Sequence, residues 1–280
     1  MTERVTVSSD LSSGKKYGVI TLITDFGVYY PGVMKCSLIS SLSCLNHRAE
    51  VIDVCHEVEP FNIYHGAFLL LNSWKYSKAV HCVVVDPTVG SERRAIAVLC
   101  ESSAFVGPDN GVLYPAAREA GIEKIIALDS ERVFDFLRRC LKRDVKMSTT
   151  FHGRDVFAPA SALTASGIVE DYGEEVDDIV KLDLFELKIK DRLECRIVFN
   201  DRFGNAITNV KEEVARKFRG FWFKDYYFPL VERITDVEKG EPFAIIGSFG
   251  TLELCIREGS ARELGLRSGK VRLKYIEDGD

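Results

Sequence analysis

The stretch 79-AVHCVVVD-86 decides the fold of the N-terminal part of this chain. Its apolar residues run almost without interruption. That pattern fits a strand covered on both faces better than one with a wet side. It ends in an aspartate and runs into a polar loop, 87-PTVGSERR-94. Four further runs share the Val/Ile-rich texture: 17-YGVITLIT-24, 50-EVIDVC-55, 94-RAIAVLC-100 and 123-EKIIALD-129. Segments with helical spacing lie between them. Pro31 opens one, 31-PGVMKCSLISSLS-43, and Phe61, His65, Phe68, Leu69 and Leu71 mark one face of another. Strands alternating with helices predict an α/β domain on a largely parallel sheet.

Beyond about residue 185 the texture changes. The runs 193-LECRIVF-199, 219-RGFWF-223, 243-FAIIGS-248, 251-TLELCI-256 and 269-GKVRLKYI-276 follow one another with glycine-rich or acidic turns between them. No strong helix is required there, so a smaller all-β, barrel-like domain is expected. The predicted organisation is a mobile polar extension over 1–16, an α/β domain over 17–170, an acidic linker over 171–188 and the β domain over 189–280.

Composition excludes several classes. The net charge of −5 lacks the basic footprint of a nucleic-acid binder. No apolar run reaches the ~18 residues of a membrane helix, and the N-terminus, MTERVTVSSDLSSGKKYG, has no apolar core of a secretory signal. The eight cysteines form no C-x-x-C pair. Cys36, Cys44, Cys82, Cys100, Cys195 and Cys255 sit in apolar runs and read as buried free thiols of a cytoplasmic protein. No histidine or cysteine cluster has zinc-ligand spacing, so no metal is expected; His81, inside a strand, reads as a satisfied core residue. The dinucleotide, P-loop and G-x-S-x-G patterns are absent.

What remains is a polar set at strand ends. In open α/β sheets, ligands bind beyond the carboxyl ends of strands. Asp25 in 22-LITDFG-27 and Asp86 both stand there, although an Asp before Gly or Pro often only caps a turn. The loop after Asp86 is short enough to bring Arg93 back to it, either as a structural ion pair or as part of a site. His152 and Asp155 in 151-FHGRDVFAPAS-161 add an imidazole and a carboxylate at the mouth of an apolar helix. An Asp–Arg–His pocket can orient a water nucleophile. In the β domain, 200-NDRFGNAITN-209 offers Asp201, Asn205 and Asn209, either as a turn or as ligand-reading groups.

Taken in order, 24-TDFG-27, 56-HEVEPFN-62, 83-VVVDPTVGSERR-94, 106-VGPDNGVL-113, 151-FHGRDVFAP-159, 201-DRFGNAITN-209 and 247-GSFGTLE-253 resemble the S-adenosyl-L-methionine hydrolases, or hydroxide adenosyltransferases. These are relatives of the fluorinating and chlorinating adenosyl enzymes. The resemblance runs from about residue 17 to the C-terminus. It implies attack of water on ribose C5′, giving adenosine and L-methionine, with no cofactor. It places the family's Asp–Arg–His set on Asp86, Arg93 and His152. It implies that Asp25 holds the ribose hydroxyls and Phe61 walls the ribose. Asp201 and Ser248 would bind the methionine ends. Asn205 would read adenine together with the backbone of Arg257, Glu258 and Gly259. It also implies a homotrimer with sites between subunits. Thr88 and Phe249 depart from the family pattern. Two other readings are a halide adenosyltransferase and a non-catalytic protein that binds adenosine or S-adenosylmethionine.

Overall fold

The computed structural model describes residues 14–277. The chain divides after Leu182 into two compact units.

The first unit is a seven-stranded sheet with helices on both faces. Its elements are β1 (Val19–Thr24), α1 (Tyr30–Cys44), β2 (Glu50–Cys55), α2 (Ile63–Ser73), β3 (Val80–Val84), β4 (Ala95–Cys100), β5 (Ala104–Pro108), α3 (Tyr114–Ala120), β6 (Ile122–Leu128), α4 (Ser130–Leu141), α5 (Ala158–Ala165) and β7 (Gly173–Val176). The strand order is β2-β1-β3-β5-β4-β6-β7. β2, β1, β3 and β5 pair in parallel, whereas β4, β6 and β7 add antiparallel. The sheet is therefore mixed beyond its parallel part. β5 was not foreseen: it turns back from β4 through the short 101–103 connection. The acidic stretch expected to be a linker supplies β7, which pairs with β6 at the sheet edge.

Two apolar layers cover the sheet. Met34, Leu38, Phe136 and Leu163 pack on one face, and Ala67, Leu70, Phe105 and Leu113 on the other. β3 is buried along its whole length, as its uninterrupted apolar pattern requires. His81 lies within it, bonded through Nδ1 to Thr21 Oγ1 at 2.8 Å and stacked on Phe105. Its Nε2 is buried with no hydrogen-bond partner among the described residues, so the expectation of a satisfied core histidine is met at one nitrogen only. Cys36 and Cys44 are exposed on α1, against expectation, because the helix turns its Met34/Leu38 stripe inward.

Of the N-terminal extension, residues 1–13 lie outside the described residues. The part that is described is tied down. Gly14 N donates to Gly167 O at 3.1 Å, and Lys15 pairs with Glu123 at 2.9 Å.

The second unit is an antiparallel sheet curled into a nearly closed barrel. It holds β8 (Lys188–Ile189), β9 (Leu193–Asn200), β10 (Ala206–Lys211), α6 (Glu212–Ala215), β11 (Phe218–Phe223), β12 (Tyr226–Pro229), β13 (Pro242–Ile246), β14 (Thr251–Ile256) and β15 (Gly269–Glu277). The strand order is β12-β11-β15-β9-β10-β14-β13, with β8 on β9. A parallel bridge from Leu230 to Ala244 brings the chain after β12 beside β13, so that the two ends of the sheet meet. Leu252, Leu254, Phe221, Phe228 and Leu273 fill the interior.

Candidate active site

The parallel part of the first sheet creates the site. From β1 the chain steps to β2 on one side and then to β3 on the other. The strand order thus reverses between β1 and β3, which is where such sheets open a crevice. Thr24 and Val84 are register partners at the carboxyl ends of these strands. Asp25 and Asp86 follow just beyond, close enough that the Asp86 charge acts on Asp25.

Asp86, Arg93 and His152 meet. Arg93 Nε and Nη2 both donate to Asp86 Oδ2, at 2.9 and 2.5 Å. Arg93 Nη2 also reaches His152 Nδ1 at 3.0 Å. The ion pair is deeply placed, with side chains 8 % and 5 % exposed. The guanidinium lies over the Phe157 ring, 5.1 Å from its centre. A guanidinium can only donate, so Nδ1 must accept and the imidazole proton resides on Nε2. His152 is thereby held neutral with an N–H pointing away from Arg93. Burial, and then the Arg93 charge, lower its pKa, and Asp86 and Asp155 oppose this in part.

The local sequence explains the geometry. The PTVGSE loop folds as successive turns, with Val89 N donating to Asp86 O and Ser91 N to Thr88 O. Gly90 has φ +81, and a Cβ there would sit 2.6 Å from Thr149 O. Only glycine lets this loop lie against the segment leading to His152. His152 precedes a wide π-type turn, Gly153–Phe157, that opens α5. The polar cluster at this helix mouth divides its work. His152 turns to Arg93. Arg154 instead pairs with the buried Asp155 at 2.6 Å, and Asp155 accepts from Ser148 N at 2.7 Å. A second lock, Arg94 to Asp109 at 2.5 Å, had no sequence signal beyond its residue types.

Asp25 Oδ2 accepts from Phe61 N at 2.9 Å. Burial raises the Asp25 pKa, the Asp86 charge adds to this, and backbone hydrogen bonds work against it. Phe61 does not lie on the buried face of α2. It stands before the Asn62 cap with φ +63 and is 68 % exposed, because its N–H is drawn to Asp25.

In the second unit, Asp201 organises its own loop. Its Oδ1 accepts from Phe203 N and Asn205 N, both at 2.9 Å, and its Oδ2 from Asn205 Nδ2 at 3.0 Å. Asp201, Asn205, Ser248, Phe249 and Glu253 line an open pocket of about 390 Å³. Glu253 was not foreseen as a site residue, although a carboxylate breaking the apolar run TLELCI was its signal. The backbone of Arg257 is committed within the unit: its N–H donates to Glu241 O and its carbonyl accepts from Gly240 N. Gly259 N donates to Ile256 O. The Arg257 carbonyl keeps a second lone pair, and Glu258 follows at φ +56.

An Asp–Arg–His set at the switch point of one unit, and a polar pocket on a β barrel in the other, define a two-unit small-molecule enzyme class rather than a scaffold. The chain belongs to the SAM hydroxide adenosyltransferase family: the family's N-terminal domain model matches residues 20–173 and its C-terminal domain model residues 195–271. It is 43% identical over 205 residues to the (R)-S-adenosyl-L-methionine hydrolase of Methanocaldococcus jannaschii, covering 71% of this chain and 70% of that one. The (R)-S-adenosyl-L-methionine hydrolase of Thermus thermophilus is 34% identical over 262 residues, 91% of this chain and 98% of that one. The fluorinase of Actinopolyspora mzabensis is more distant, 23% identical over 186 residues, 57% of this chain and 58% of its own. A crystal structure of an uncharacterized conserved protein from Thermotoga maritima superposes with a TM-score of 0.75 at 29% identity, over 91% of this chain and 99% of that one.

Proposed function

We propose that this protein hydrolyses S-adenosyl-L-methionine to adenosine and L-methionine. The observation that carries the reading is the bridge made by Arg93, which binds the Asp86 carboxylate and His152 Nδ1 together. It leaves His152 Nε2–H as a fixed donor to a water or hydroxide oxygen. Arg93 favours the hydroxide form electrostatically, while Asp86 and His152 orient it. The oxygen forms a bond to C5′ as the C5′–sulfur bond breaks. The electron pair leaves on sulfur, giving a neutral thioether, so the leaving group needs no acid. The hydroxide's own proton becomes that of the adenosine 5′-hydroxyl, and the proton shed when water becomes hydroxide passes to solvent. Positioning and exclusion of bulk water do the rest.

Asp25 holds the ribose hydroxyls and Phe61 walls the sugar. Asp201 and Ser248 take the methionine end, and Asn205 with the backbone of Arg257, Glu258 and Gly259 reads adenine. The protein acts in the cytoplasm as a homotrimer with its sites between subunits. Val28, Tyr29, Tyr30 and Phe61 are large apolar side chains left exposed in the first unit, and they favour an assembled form. All eight cysteines are free, in keeping with a reducing compartment.

Incubation with substrate in ¹⁸O water tests the chemistry: label in the 5′-hydroxyl of adenosine is expected. Absence of any product would leave a binding protein instead. The halide reading is disfavoured because the fluorinase is only a distant relative of this chain. A halogenated nucleoside formed in chloride would reverse that choice. Light scattering tests the trimer.

A further inference from the structure

The loop that carries Asp86 and Arg93 spans a gap. β3 and β4 are not neighbours in the sheet, because β5 lies between them. Asp86 follows β3, and Arg93 precedes β4. The 86–93 loop therefore arches over the carboxyl end of β5, its feet two strand spacings apart, about 10 Å. A free loop of this length samples many conformations. A preorganised site needs its groups held to about 0.5 Å. Something must pin the arch.

The residues that follow β5 lie under both feet. Asn110 Nδ2 donates to Val85 O at 2.9 Å, directly before Asp86. Asp109 N donates to Arg94 O at 2.9 Å, directly after Arg93. The Asp109 carboxylate, only 2 % exposed, also accepts from Arg94 Nε at 2.9 Å and from Nη2 at 2.5 Å. Its other oxygen accepts from Val180 N at 2.8 Å. Asn110 is likewise used at both ends, since its Oδ1 accepts from Val112 N at 3.2 Å. A flipped amide would set acceptor against acceptor and donor against donor, so its surroundings fix this orientation. Gly107 permits the close approach of β5 to β3: a Cβ there would fall 2.3 Å from Val83 O. No hydrogen bond joins the side chain of Asp109 or Asn110 to Asp86, Arg93 or His152 among the described residues. Their influence on that set runs through Val85 and Arg94.

We propose that Asp109 and Asn110 are positioning residues for the reaction: they pin the two feet of the arch and so set where Asp86 meets Arg93. This rests on the hydrolase reading, in which that pair orients the attacking water. An Asp-Asn pair before glycine also shapes its own turn. Asn110 performs that duty through Oδ1. The two duties use different atoms. The turn needs an acceptor, whereas the clamp needs the Nδ2 donor. Asn110→Asp keeps the acceptor and removes the donor, so the Val85 carbonyl is left facing a carboxylate oxygen.

The test is steady-state kinetics of Asn110→Asp beside wild type. The substitution displaces the reacting groups without removing them, so kcat is expected to fall about ten-fold or more with KM within about three-fold. Calorimetry with adenosine, the product, should give an unchanged Kd. Hydrogen exchange resolved by peptide adds a readout independent of turnover. Amides of residues 88–94 should exchange faster in the variant, while those of β3 and β5 keep their rates. Asn110→Ser repeats the test should Asn110→Asp fail to fold: its hydroxyl can accept from Val112 N but is too short to reach Val85 O. Wild-type kcat in a folded variant, or unchanged exchange over 88–94, overturns the inference alone. So does a loss of kcat with equal loosening of β3 and β5, which would make Asn110 a stability residue only. A wild type that makes no adenosine overturns the hydrolase reading, and the exchange comparison then still decides whether Asn110 pins the arch.

Discussion

The two units keep their key carboxylates in opposite conditions. Asp86 is buried, yet its charge is matched: Arg93 grips one oxygen and the Thr88 N–H approaches the other. Glu253 is half-buried and unmatched, beside a second carboxylate. The first unit therefore carries a site whose charges are balanced within the chain and whose geometry exists before any ligand arrives. The second carries one whose charge its own chain leaves unmatched. On the proposed function, preorganised chemistry and ligand-completed binding are separate tasks, held by separate folds. The histidines divide the same way, with all five in the first unit and none in the second.

The sharpest way to break this contrast is Asp86→Asn. Removing one partner of a buried pair leaves Arg93 uncompensated, a loss of about 3 kcal/mol or more, read from the urea midpoint. Adenosine formation should fall about 100-fold or more, because the nucleophile loses its orienting pair. Little change in either would mean the pair is not balanced as described. His152 supplies a related profile. Its pKa is lowered, so activity should be level above the ordinary imidazole range and should fall as acid protonates Nδ1 and breaks its bond to Arg93. The same pH profile in His152→Gln would place the titration elsewhere.

Next in size is acid sensitivity of the first unit. Burial lowers the pKa of His81 to about 4. The unfolded chain binds a proton near 6.5 while the folded one does not, so stability is lost as pH falls from about 6.5 toward 4. The full effect is about 3 kcal/mol for His81, and His65, also lowered to about 4, adds to it. Hydrogen exchange resolved by unit, corrected for intrinsic rates, measures this in the intact chain. A smaller effect is expected from Gly90→Ala, which forces a side chain into positive φ and against Thr149 O, at a cost of roughly 2 kcal/mol. Turnover should drop with it, since that loop places Arg93.

The smallest effect has the opposite sign; it is small because Glu253 is only half-buried and solvent screens much of its shift. Glu253 has a raised pKa, about 7, so the folded second unit binds a proton that the unfolded chain gives up near 4. Its contribution is present at low pH and lost as pH rises through about 7. The second unit should thus weaken slightly over a range where the first strengthens, and Glu253→Gln should flatten that slope. Parallel slopes in both units would dissolve the comparison.

Much of this was legible in the residues. Uninterrupted apolar runs announced β1, β3 and β4, since a strand covered on both faces has no polar period to disguise it. Aspartates after two such runs located the crevice. Other elements left weaker marks. β7 is an acidic, half-exposed edge strand that one neighbour orders, so its composition reads as linker. β10 begins in a turn-like NAITN sequence and is held by pairing on both sides. The position of Phe61 depended on a hydrogen bond to Asp25, 36 residues away in the chain.

By itself, then, the sequence determined the chemical inventory: which strands are buried, which loops are short, and which acids, bases and glycines stand at their ends. These are local properties, written in periodicity and residue type. Tertiary structure alone decided who faces whom. It gave Arg93 to both Asp86 and His152, turned Arg154 to Asp155, paired the Arg257 N–H within its own unit and left Glu253 without a partner. Partnership depends on distances between residues far apart in the chain. Those distances are set by packing and by the energy of leaving buried charges unmatched, and neither is a property of a local stretch.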